Sequence, residues 1–338
     1  MTQRHTFIIA EVGLNHNGNL DLARESVAAA AHAGCDAVKF QNFKTEDFVR
    51  DRTQMFTYKS QGTEVTEPFF DLCKRNEFQP EWLGPLKSLC DEIGVELIST
   101  PTSIDGIEDL RRAGCTYVKN GSDYLTHPPL IRAMGQSGMK VILSTGMGTQ
   151  DDIDAAVLAL GAAYPDNAVL LHCTSAYPTH PQDINLNRMV RLQSHYDCAV
   201  GFSDHTEGSI AAVQAASLGA AMIEKHFTLD HELPGPDHWF SSTPGEMAEL
   251  VSDVRQAEVR LGSGDLVPAA GELETRDAFR IGVVAEIDLD TGHVLGAGDF
   301  AFRKPGSGLL PRDIDDYLGR TLVRRVPKES PLSPEDFG

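Results

Sequence analysis

Reactive and hydrogen-bonding side chains stand at or just beyond the ends of short apolar runs along most of the chain. The runs are typical of buried strands, which usually end in aliphatic residues unless a site requires otherwise. The residues that could do chemistry are Glu11, Lys39, Gln41, Thr100, Lys119, Ser122, Asp123, Ser144, Ser175, Tyr177, Ser203, His205, Glu224, His226 and Asp237. The same pattern includes Asn15, His16, Ser99, Thr145, His172, Asp204 and His238. It predicts one polar site assembled from several strands.

Two lysines in this set indicate an anion site. Lys39 and Lys119 would point into one low-dielectric space, where an unpaired ammonium is costly. A bound dianion would offset both charges, and nearby hydroxyls could donate to its phosphate and carboxylate oxygens. Those hydroxyls are Thr100, Ser122, Ser144 and Ser203. The alternative is that each lysine pairs with a glutamate or aspartate.

Two histidines indicate a metal site. His205 and His226 end adjacent predicted strands, and neutral imidazoles at that spacing suit a borderline divalent ion. Glu11, Glu224 and Asp237 are close enough to act as proton-transfer groups. Either histidine alone would be explained as a hydrogen-bonded core residue, but the pair beside acids favours a metal.

Eight strand candidates alternate with amphipathic helical stretches. They span 7–12, 36–41, 95–100, 116–120, 140–145, 168–173, 199–204 and 221–226. Such alternation predicts an α/β fold, a (β/α)₈ TIM barrel over residues 1–264, with its active site at the carboxyl ends of the strands. The long segment 42–79 follows the second strand and is predicted to cover the substrate; the alternative is an insertion without function.

The pattern changes after the barrel. Residues 265–276 are predicted to be a linker, and 277–338 alternate apolar and polar residues between glycine and aspartate turns, which predicts a small β-rich domain. About 60 residues is near the lower limit for independent folding.

Composition excludes several function classes. The 338 residues carry a formal net charge of −20, which argues against a nucleic-acid partner. No apolar stretch approaches the roughly 18 residues of a membrane helix, so no membrane association is expected. The first apolar run is too short for a signal peptide, and the six cysteines form no CxxC pair. We therefore expect a cytoplasmic protein with reduced thiols.

The segments that carry these residues also resemble a known family. IIAEVGLNHNGNL, DAVKFQ, ISTPTS, VKNGSD, ILSTGM, LHCTSAYPT, GFSDHT, IEKHFTLD and LPGPDH occur in order, and together they resemble the bacterial N-acylneuraminate synthases. The later RKPGSG stretch is similar to that family's small antifreeze-like domain, a β-clip or SAF domain.

The resemblance implies a metal-dependent transferase of sialic acid biosynthesis. Phosphoenolpyruvate would condense with the open-chain aldehyde of N-acetylmannosamine, water would add, and phosphate would leave. The implied ion is Mn²⁺, with Mg²⁺ or Co²⁺ as alternatives. The implied assembly is a domain-swapped homodimer, in which the small domain of one subunit caps the barrel of the other.

The resemblance also implies residue roles. His205 and His226 would bind the metal, and Glu11, Glu224 and Lys39 would be catalytic. Phosphoenolpyruvate would be held by Lys39, Thr100, Lys119, Ser122, Ser144 and Ser203. The sugar would face Gln41, Asp123, Tyr177, Asp237 and, from the small domain, Lys304. Ser175 stands where an asparagine is common beside the phosphate.

Three departures from the family pattern bear on the acceptor. Besides Ser175, Asp123 replaces a common glutamate and Lys304 replaces an arginine, whose planar fork a lysine does not reproduce. The alternative acceptor is 2,4-diacetamido-2,4,6-trideoxymannose, which would make the chain a legionaminic acid synthase. From another class, a Schiff-base aldolase with Lys39 or Lys119 as nucleophile remains open, as does a non-catalytic binding protein.

Overall fold

The computed structural model describes residues 5–338, and its strands and helices alternate along most of the chain. The strands are β1 (Phe7–Gly13), β2 (Ala37–Asn42), β3 (Met55–Ser60), β4 (Thr63–Pro68), β5 (Glu96–Pro101), β6 (Tyr117–Lys119), β7 (Lys140–Ser144), β8 (Ala168–Cys173), β9 (Ala199–Asp204), β10 (Met222–His226), β11 (Gly282–Ala285) and β12 (Phe300–Arg303). The helices are α1 (Leu20–His32), α2 (Thr45–Phe48), α3 (Phe69–Arg75), α4 (Leu83–Ile93), α5 (Ile104–Arg112), α6 (Pro128–Gln136), α7 (Gln150–Leu160), α8 (Pro181–Ile184), α9 (Asn187–His195), α10 (Ile210–Ser217), α11 (Pro244–Leu261) and α12 (Leu273–Phe279).

Eight parallel strands form a nearly closed barrel. Their hydrogen-bonded order is β5-β2-β1-β10-β9-β8-β7-β6. The two end strands of that order, β5 and β6, also lie next to each other. The predicted (β/α)₈ barrel is therefore confirmed, and all eight predicted strands are present with ends shifted by no more than one residue.

Side chains along each barrel strand point alternately into the barrel interior and outward toward the helices. A small aliphatic cluster fills the interior and includes Ile9, Ala37, Ile98, Ile142 and Met222. Successive side chains of a strand point to opposite faces. The residue two positions further along each of these strands therefore faces the same interior, toward the carboxyl ends.

The segment between β2 and α4 is not a structureless loop. It contains α2, an antiparallel β3–β4 hairpin that pairs Met55 with Pro68 and Ser60 with Thr63, and then α3. The hairpin forms a two-stranded sheet separate from the barrel.

A second compact unit runs from Gly264 to the end of the chain, and the first unit ends at Ser263. Strands β11 and β12 pair antiparallel, and a core around Val283, Leu289 and Leu332 stabilises the unit. The residues predicted as a linker contain a 3-10 turn and the first part of α12. Within residues 5–338 no helix is both long and apolar enough to cross a membrane.

Candidate active site

Most of the predicted site residues line one cavity of about 430 Å³, called here the first cavity. Its lining includes Glu11, Lys39, Gln41, Thr100, Lys119, Ser122, Asp123, Ser144, Ser175, Tyr177, Ser203, His205, Glu224 and His226. Asp237 lines an adjoining second cavity of about 760 Å³, whose lining shares Gln41, Ser175, Tyr177 and His226 with the first. The structure thus brings together residues of all eight barrel strands or of the loops that follow them.

Lys39 lies at the centre of a buried network. Its ammonium Nζ is 2.8 Å from Glu11 Oε2 and 3.7 Å from Glu224 Oε2. It also donates to Thr100 Oγ1 at 3.2 Å. Gln41 Nε2 donates to the other Glu11 oxygen, Oε1, at 2.8 Å. These contacts hold the Glu11 carboxylate and the Lys39 ammonium as one unit.

Lys119 reaches the same glutamate from the other side. Its Nζ is 3.4 Å from Glu224 Oε1 and donates to Ser144 Oγ at 2.8 Å and to the Asn120 carbonyl at 3.0 Å. Ser203 Oγ donates to Glu224 Oε1 at 3.0 Å. Glu224 therefore joins the two lysines through one carboxylate.

Both lysines have carboxylate partners, so the premise of unpaired buried ammonium groups does not hold. The alternative stated from the sequence, that each lysine pairs with an acid, describes the structure. The hydroxyls remain available, because a hydroxyl that accepts from an ammonium keeps its own O–H to donate. Thr100 and Ser144 accept in this way, and both line the cavity.

Burial and mutual charge shift the pKa values of these groups in different directions. Burial raises the pKa of Glu11 despite the Lys39 ammonium beside it. Burial alone would lower the pKa of Lys39, but Glu11 and Glu224 outweigh it and the pKa is raised. Burial lowers the pKa of Lys119. Burial alone would raise the pKa of Glu224, but Lys119 and Lys39 lower it overall. Lys39 and Glu224 are therefore held in their charged forms.

The two histidines lie side by side at the ends of β9 and β10. Their ring centroids are 5.4 Å apart, and Tyr177 packs against His205 at 4.2 Å. His205 Nδ1 lies 2.8 Å from the Thr174 carbonyl. If Nδ1 donates to that carbonyl, Nε2 carries the lone pair that a metal requires. His226 Nδ1 is buried without a hydrogen-bond partner.

These observations fit a divalent ion held by two protein ligands. The pKa of His226 is lowered well below its usual value by burial and by His205, so its ring is neutral. Burial alone would lower the pKa of His205, but Cys173 and the Thr174 carbonyl raise it. Residues 5–338 contain no cluster of three or more His, Cys, Asp or Glu arranged for a metal. Substrate and water would have to complete the coordination.

Asp237 comes from the loop after β10 and faces the histidine pair. Its Oδ2 lies 3.9 Å from His226 Nδ1. Burial, together with the charge of Glu11, raises its pKa to about 7. A carboxyl group with this pKa can both give and take a proton near neutral pH. Burial likewise raises the pKa of Asp123 in the first cavity.

Several strand-end polar residues serve the fold instead. Ser99 Oγ donates to the Phe40 carbonyl at 3.1 Å, and Thr145 Oγ1 donates to the Leu171 carbonyl at 3.0 Å. His172 Nε2 lies 2.6 Å from the Ile184 carbonyl. Four other residues of this group also line neither cavity and contact residues that line neither cavity. They are Asn15, which donates to the Phe227 carbonyl, His16, which packs against Trp82, Asp204, which pairs with Lys225, and His238, which hydrogen-bonds with Thr228.

Lys304 belongs to the C-terminal unit, where its Nζ lies 5.8 Å from the centroid of the Phe279 ring. Its role in binding the acyl group of a sugar stays a prediction.

The sequence pattern missed other residues that line the two cavities. Cys173 ends β8 and lies 3.5 Å from Ser122 Oγ, while Trp239 and Phe240 line the second cavity. Both aromatic residues directly follow the LPGPDH segment, so their position beside a family motif could have indicated them.

Comparisons with known proteins identify the family. The chain matches the model of the NeuB family over residues 26–266 and that of the SAF domain over residues 281–338. The predicted C-terminal SAF domain is therefore confirmed.

Individual relatives cover nearly the whole chain. An N,N'-diacetyllegionaminic acid synthase of Legionella pneumophila is 37% identical, over 94% of this chain and 90% of the relative. A synthase of the same name from Campylobacter jejuni is 32% identical over 98% of this chain and all of its own length. The crystal structure of an N-acetylneuraminic acid synthetase from Leptospira borgpetersenii, in complex with citrate, matches with a TM-score of 0.72 and 33% identity, covering 81% of this chain and 90% of that one. The chain belongs to the NeuB family.

Proposed function

We propose that the protein is a nonulosonic acid synthase that condenses phosphoenolpyruvate with the aldehyde of an N-acylated amino sugar. One observation carries the proposal: the first cavity combines two lysines, two glutamates, donor hydroxyls and an imidazole pair. The names of the relatives, which are legionaminic and sialic acid synthases, support the same reaction class.

The hydroxyls and lysines would bind phosphoenolpyruvate. Thr100 and Ser144 each accept from a lysine and keep an O–H for the ligand. Hydrogen bonds from such polarised donors to phosphate or carboxylate oxygens are stronger than neutral ones. Ser122 would add a further donor, and Ser203 would orient Glu224.

The imidazole pair would hold the metal. His205 and His226 are the ligands available, and a bound divalent ion, Mn²⁺ being the expected one, would polarise the aldehyde carbonyl of the sugar. Tyr177 packs against both rings and lines both cavities.

The reaction balances when the two protons of the water are passed on. C3 of phosphoenolpyruvate forms a bond to the aldehyde carbon, whose oxygen takes a proton. Water adds at C2 and loses one proton. The C2–O bond to phosphate then breaks with its electron pair, and the hydroxyl left on C2 gives its proton to the departing phosphate, so that a keto group remains at C2. Glu11 and Asp237 have raised pKa values, so they are suited to give and take these protons.

A Schiff-base mechanism is less well supported by the site. The nucleophile would have to be a neutral amine, and the raised pKa of Lys39 keeps it an ammonium. Lys119 has a lowered pKa but pairs with Glu224 and Ser144. Borohydride trapping of a covalent adduct on Lys119 would favour this mechanism.

Phosphate release tests the proposal. Metal-loaded protein would be given phosphoenolpyruvate with N-acetylmannosamine or with 2,4-diacetamido-2,4,6-trideoxymannose. We expect release with at least one sugar, and none when the sugar or the Mn²⁺ is omitted. Lys39→Met is the matched inactive control, because it removes the ammonium that joins Glu11 and Glu224. Folded, metal-loaded protein that released no phosphate with either sugar would contradict the proposal.

A further inference from the structure

Asn120 is a fully buried polar residue that lines neither cavity. It follows β6 directly and stands between Lys119 and Gly121, which both line the first cavity. Burying an asparagine amide is costly unless its polar atoms have partners. The partners of this side chain therefore indicate what it does for the residues on either side.

The Asn120 side chain bonds with the backbone of Ser144 on the neighbouring strand. Its Oδ1 accepts from the Ser144 N–H at 2.7 Å, and its Nδ2 donates to the Ser144 carbonyl at 3.4 Å. Strand β6 is short, stands at one end of the strand order and, among the described strands, forms a hydrogen-bonded ladder with β7 only. The amide therefore joins β6 to β7 at the point where the backbone ladder between them ends.

This side chain takes the place of its own backbone carbonyl in the ladder. The Asn120 N–H donates to the Ile142 carbonyl at 3.1 Å. If the regular parallel pattern continued, the Ser144 N–H, two residues further along, would donate to the Asn120 carbonyl. Because Oδ1 accepts from that N–H instead, the Asn120 carbonyl can accept from Lys119 Nζ, which lies 3.0 Å away.

Lys119 is held by two groups that Asn120 places. An ammonium has three N–H donors. One donates to the Asn120 carbonyl at 3.0 Å and one to Ser144 Oγ at 2.8 Å, while the Glu224 carboxylate is further away, at 3.4 Å. Lys39, in contrast, has a carboxylate oxygen at 2.8 Å. The direction of the Lys119 ammonium therefore depends mainly on neutral oxygens whose positions Asn120 fixes.

We infer that Asn120 is a positioning residue for phosphoenolpyruvate, because it fixes the Lys119 ammonium and the Ser144 hydroxyl together. The inference rests on the proposed function, which assigns phosphoenolpyruvate to these two groups. Asn120 acts through them without touching the ligand, since its side chain bonds to the Ser144 backbone and lies outside the lining of the cavity. Donors that are already in place cost less entropy to order when a ligand arrives.

Removal of the amide should weaken the binding of phosphoenolpyruvate. The Ser144 N–H would then compete with Lys119 for the backbone carbonyl at position 120, and the ammonium would shift. Small displacements of positioned groups can cost about 100-fold. We therefore expect Asn120→Leu and the smaller Asn120→Ala to raise the Kd for phosphoenolpyruvate by about 10- to 100-fold. Calorimetry on folded protein measures this Kd without turnover when no sugar is present.

Asn42→Ala is the matched control. Asn42 is also buried at the end of a barrel strand, and its side chain accepts from Ser99 Oγ at 3.0 Å and donates to the Gly106 carbonyl at 3.4 Å. These three residues do not line the first cavity. The control variant should therefore lose stability, as Asn120→Ala does, but bind phosphoenolpyruvate like the wild type.

Steady-state kinetics separates positioning from a general loss of structure. At saturating phosphoenolpyruvate, Asn120→Ala should keep the KM for the sugar within about twofold of the wild-type value, because only the phosphoenolpyruvate side is disturbed. A double variant adds a second criterion. Asn120→Ala and Ser144→Ala both act on the Lys119 ammonium, so their losses in phosphoenolpyruvate affinity should not multiply when they are combined.

Three results would overturn the inference. The first is an unchanged Kd for phosphoenolpyruvate in folded Asn120→Ala. The second is a rise of equal size in the sugar KM of that variant, or in the phosphoenolpyruvate Kd of Asn42→Ala, which would show a general effect of losing a buried amide. The third is a double variant whose losses multiply, because Asn120 and Ser144 would then act independently.

Binding and turnover together distinguish this inference from the proposed function. If phosphoenolpyruvate binds the wild type and binds Asn120→Ala more weakly, but no sugar supports phosphate release, the proposed function fails and the role of Asn120 holds. If the wild type releases phosphate and Asn120→Ala binds phosphoenolpyruvate equally well, the role of Asn120 fails and the function holds.

Discussion

Strands β9 and β10 carry two buried ion clusters that face opposite sides of the same sheet. Glu224 points into the barrel, where it meets Lys39 and Lys119. The next residue, Lys225, points to the outer layer and pairs with Asp204 at 3.0 Å. The residues of both clusters are buried, so the degree of burial does not distinguish them.

The two clusters differ in whether protein atoms enclose them completely or leave them open to a cavity. In the outer one, Lys225 also donates to the Thr206 carbonyl at 2.6 Å, and Asp204 Oδ1 accepts from the Thr206 N–H at 2.8 Å. The Lys225 ammonium and both oxygens of the Asp204 carboxylate therefore have protein partners. The inner cluster opens onto the first cavity, and its hydroxyls keep donors for a ligand. A closed buried pair supports the fold, whereas an open one is available for chemistry.

Among the residues on the cavity side of β9 and β10, His226 should show the largest effect of substitution. His226→Ala should abolish metal-dependent phosphate release, because one of the two proposed protein ligands would be lost. Metal binding measured by calorimetry should weaken in parallel while the thermal unfolding midpoint changes little. Turnover that persists in the presence of a chelator would refute the metal assignment.

The inner carboxylate should show the next largest effect. Glu224→Gln removes the charge that joins Lys39 and Lys119, and kcat/KM should fall by about 10²–10⁴. Phosphate release would be normalised to folded protein by circular dichroism, since Lys119 then loses its carboxylate partner while Lys39 keeps Glu11. Activity above a tenth of the wild-type value would show that the inner cluster has a structural role.

Substitutions in the outer cluster should lower the stability of the protein and leave its activity almost unchanged. Asp204→Asn leaves the Lys225 ammonium buried without its carboxylate, and the free energy of unfolding should fall by about 3–5 kcal/mol. The folded fraction should keep a kcat/KM close to wild type. The double variant Asp204→Leu/Lys225→Met is the control, and it should recover most of the stability because it removes both charges. A large loss of kcat/KM in folded Asp204→Asn would erase the distinction between the clusters.

The smallest expected effect is on the pH dependence of the free energy of unfolding, and it comes from a histidine outside the barrel interior. Burial lowers the pKa of His16 to about 4, among the rings of Phe78 and Trp82. The unfolded chain binds a proton below about pH 6.5 while the folded chain does not, so stability falls as the pH drops from about 6.5 to 4. The loss from this histidine is on the order of 3 kcal/mol.

His16→Phe should remove that part of the slope when urea unfolding is compared at several pH values. His238, whose pKa burial also lowers to about 4, should keep a similar contribution in the variant. Identical slopes for wild type and variant would show that His16 does not titrate as described. Phosphate release near pH 7 should stay unaffected, in contrast to His226→Ala.

Much of the site was predictable because its signals are local. Lys39, Thr100, Ser144 and Glu224 each lie two positions beyond an aliphatic residue of the barrel interior, which is the pattern of one strand face. The partners of the lysines were not predictable. Lys39 and Thr100 are 61 residues apart, and only the strand order brings them together.

The second cavity could not be predicted from sequence patterns either. The segment 42–79 was predicted to cover a substrate, but its hairpin and the contact of Lys59 with Trp239 depend on how that segment packs on the loop after β10. The role of Lys304 stays a prediction.

The sequence by itself determined the barrel, the small β domain and the types of residue at the strand ends, because hydrophobic period and strand-end chemistry are properties of neighbouring residues. Only the tertiary structure decided which face each polar residue takes and which charge it meets. Ser203 and Asp204, or Glu224 and Lys225, look alike in sequence, yet one member of each pair faces the cavity side and the other the outer layer. The physical reason is that a partner from a distant strand is set by strand order and register.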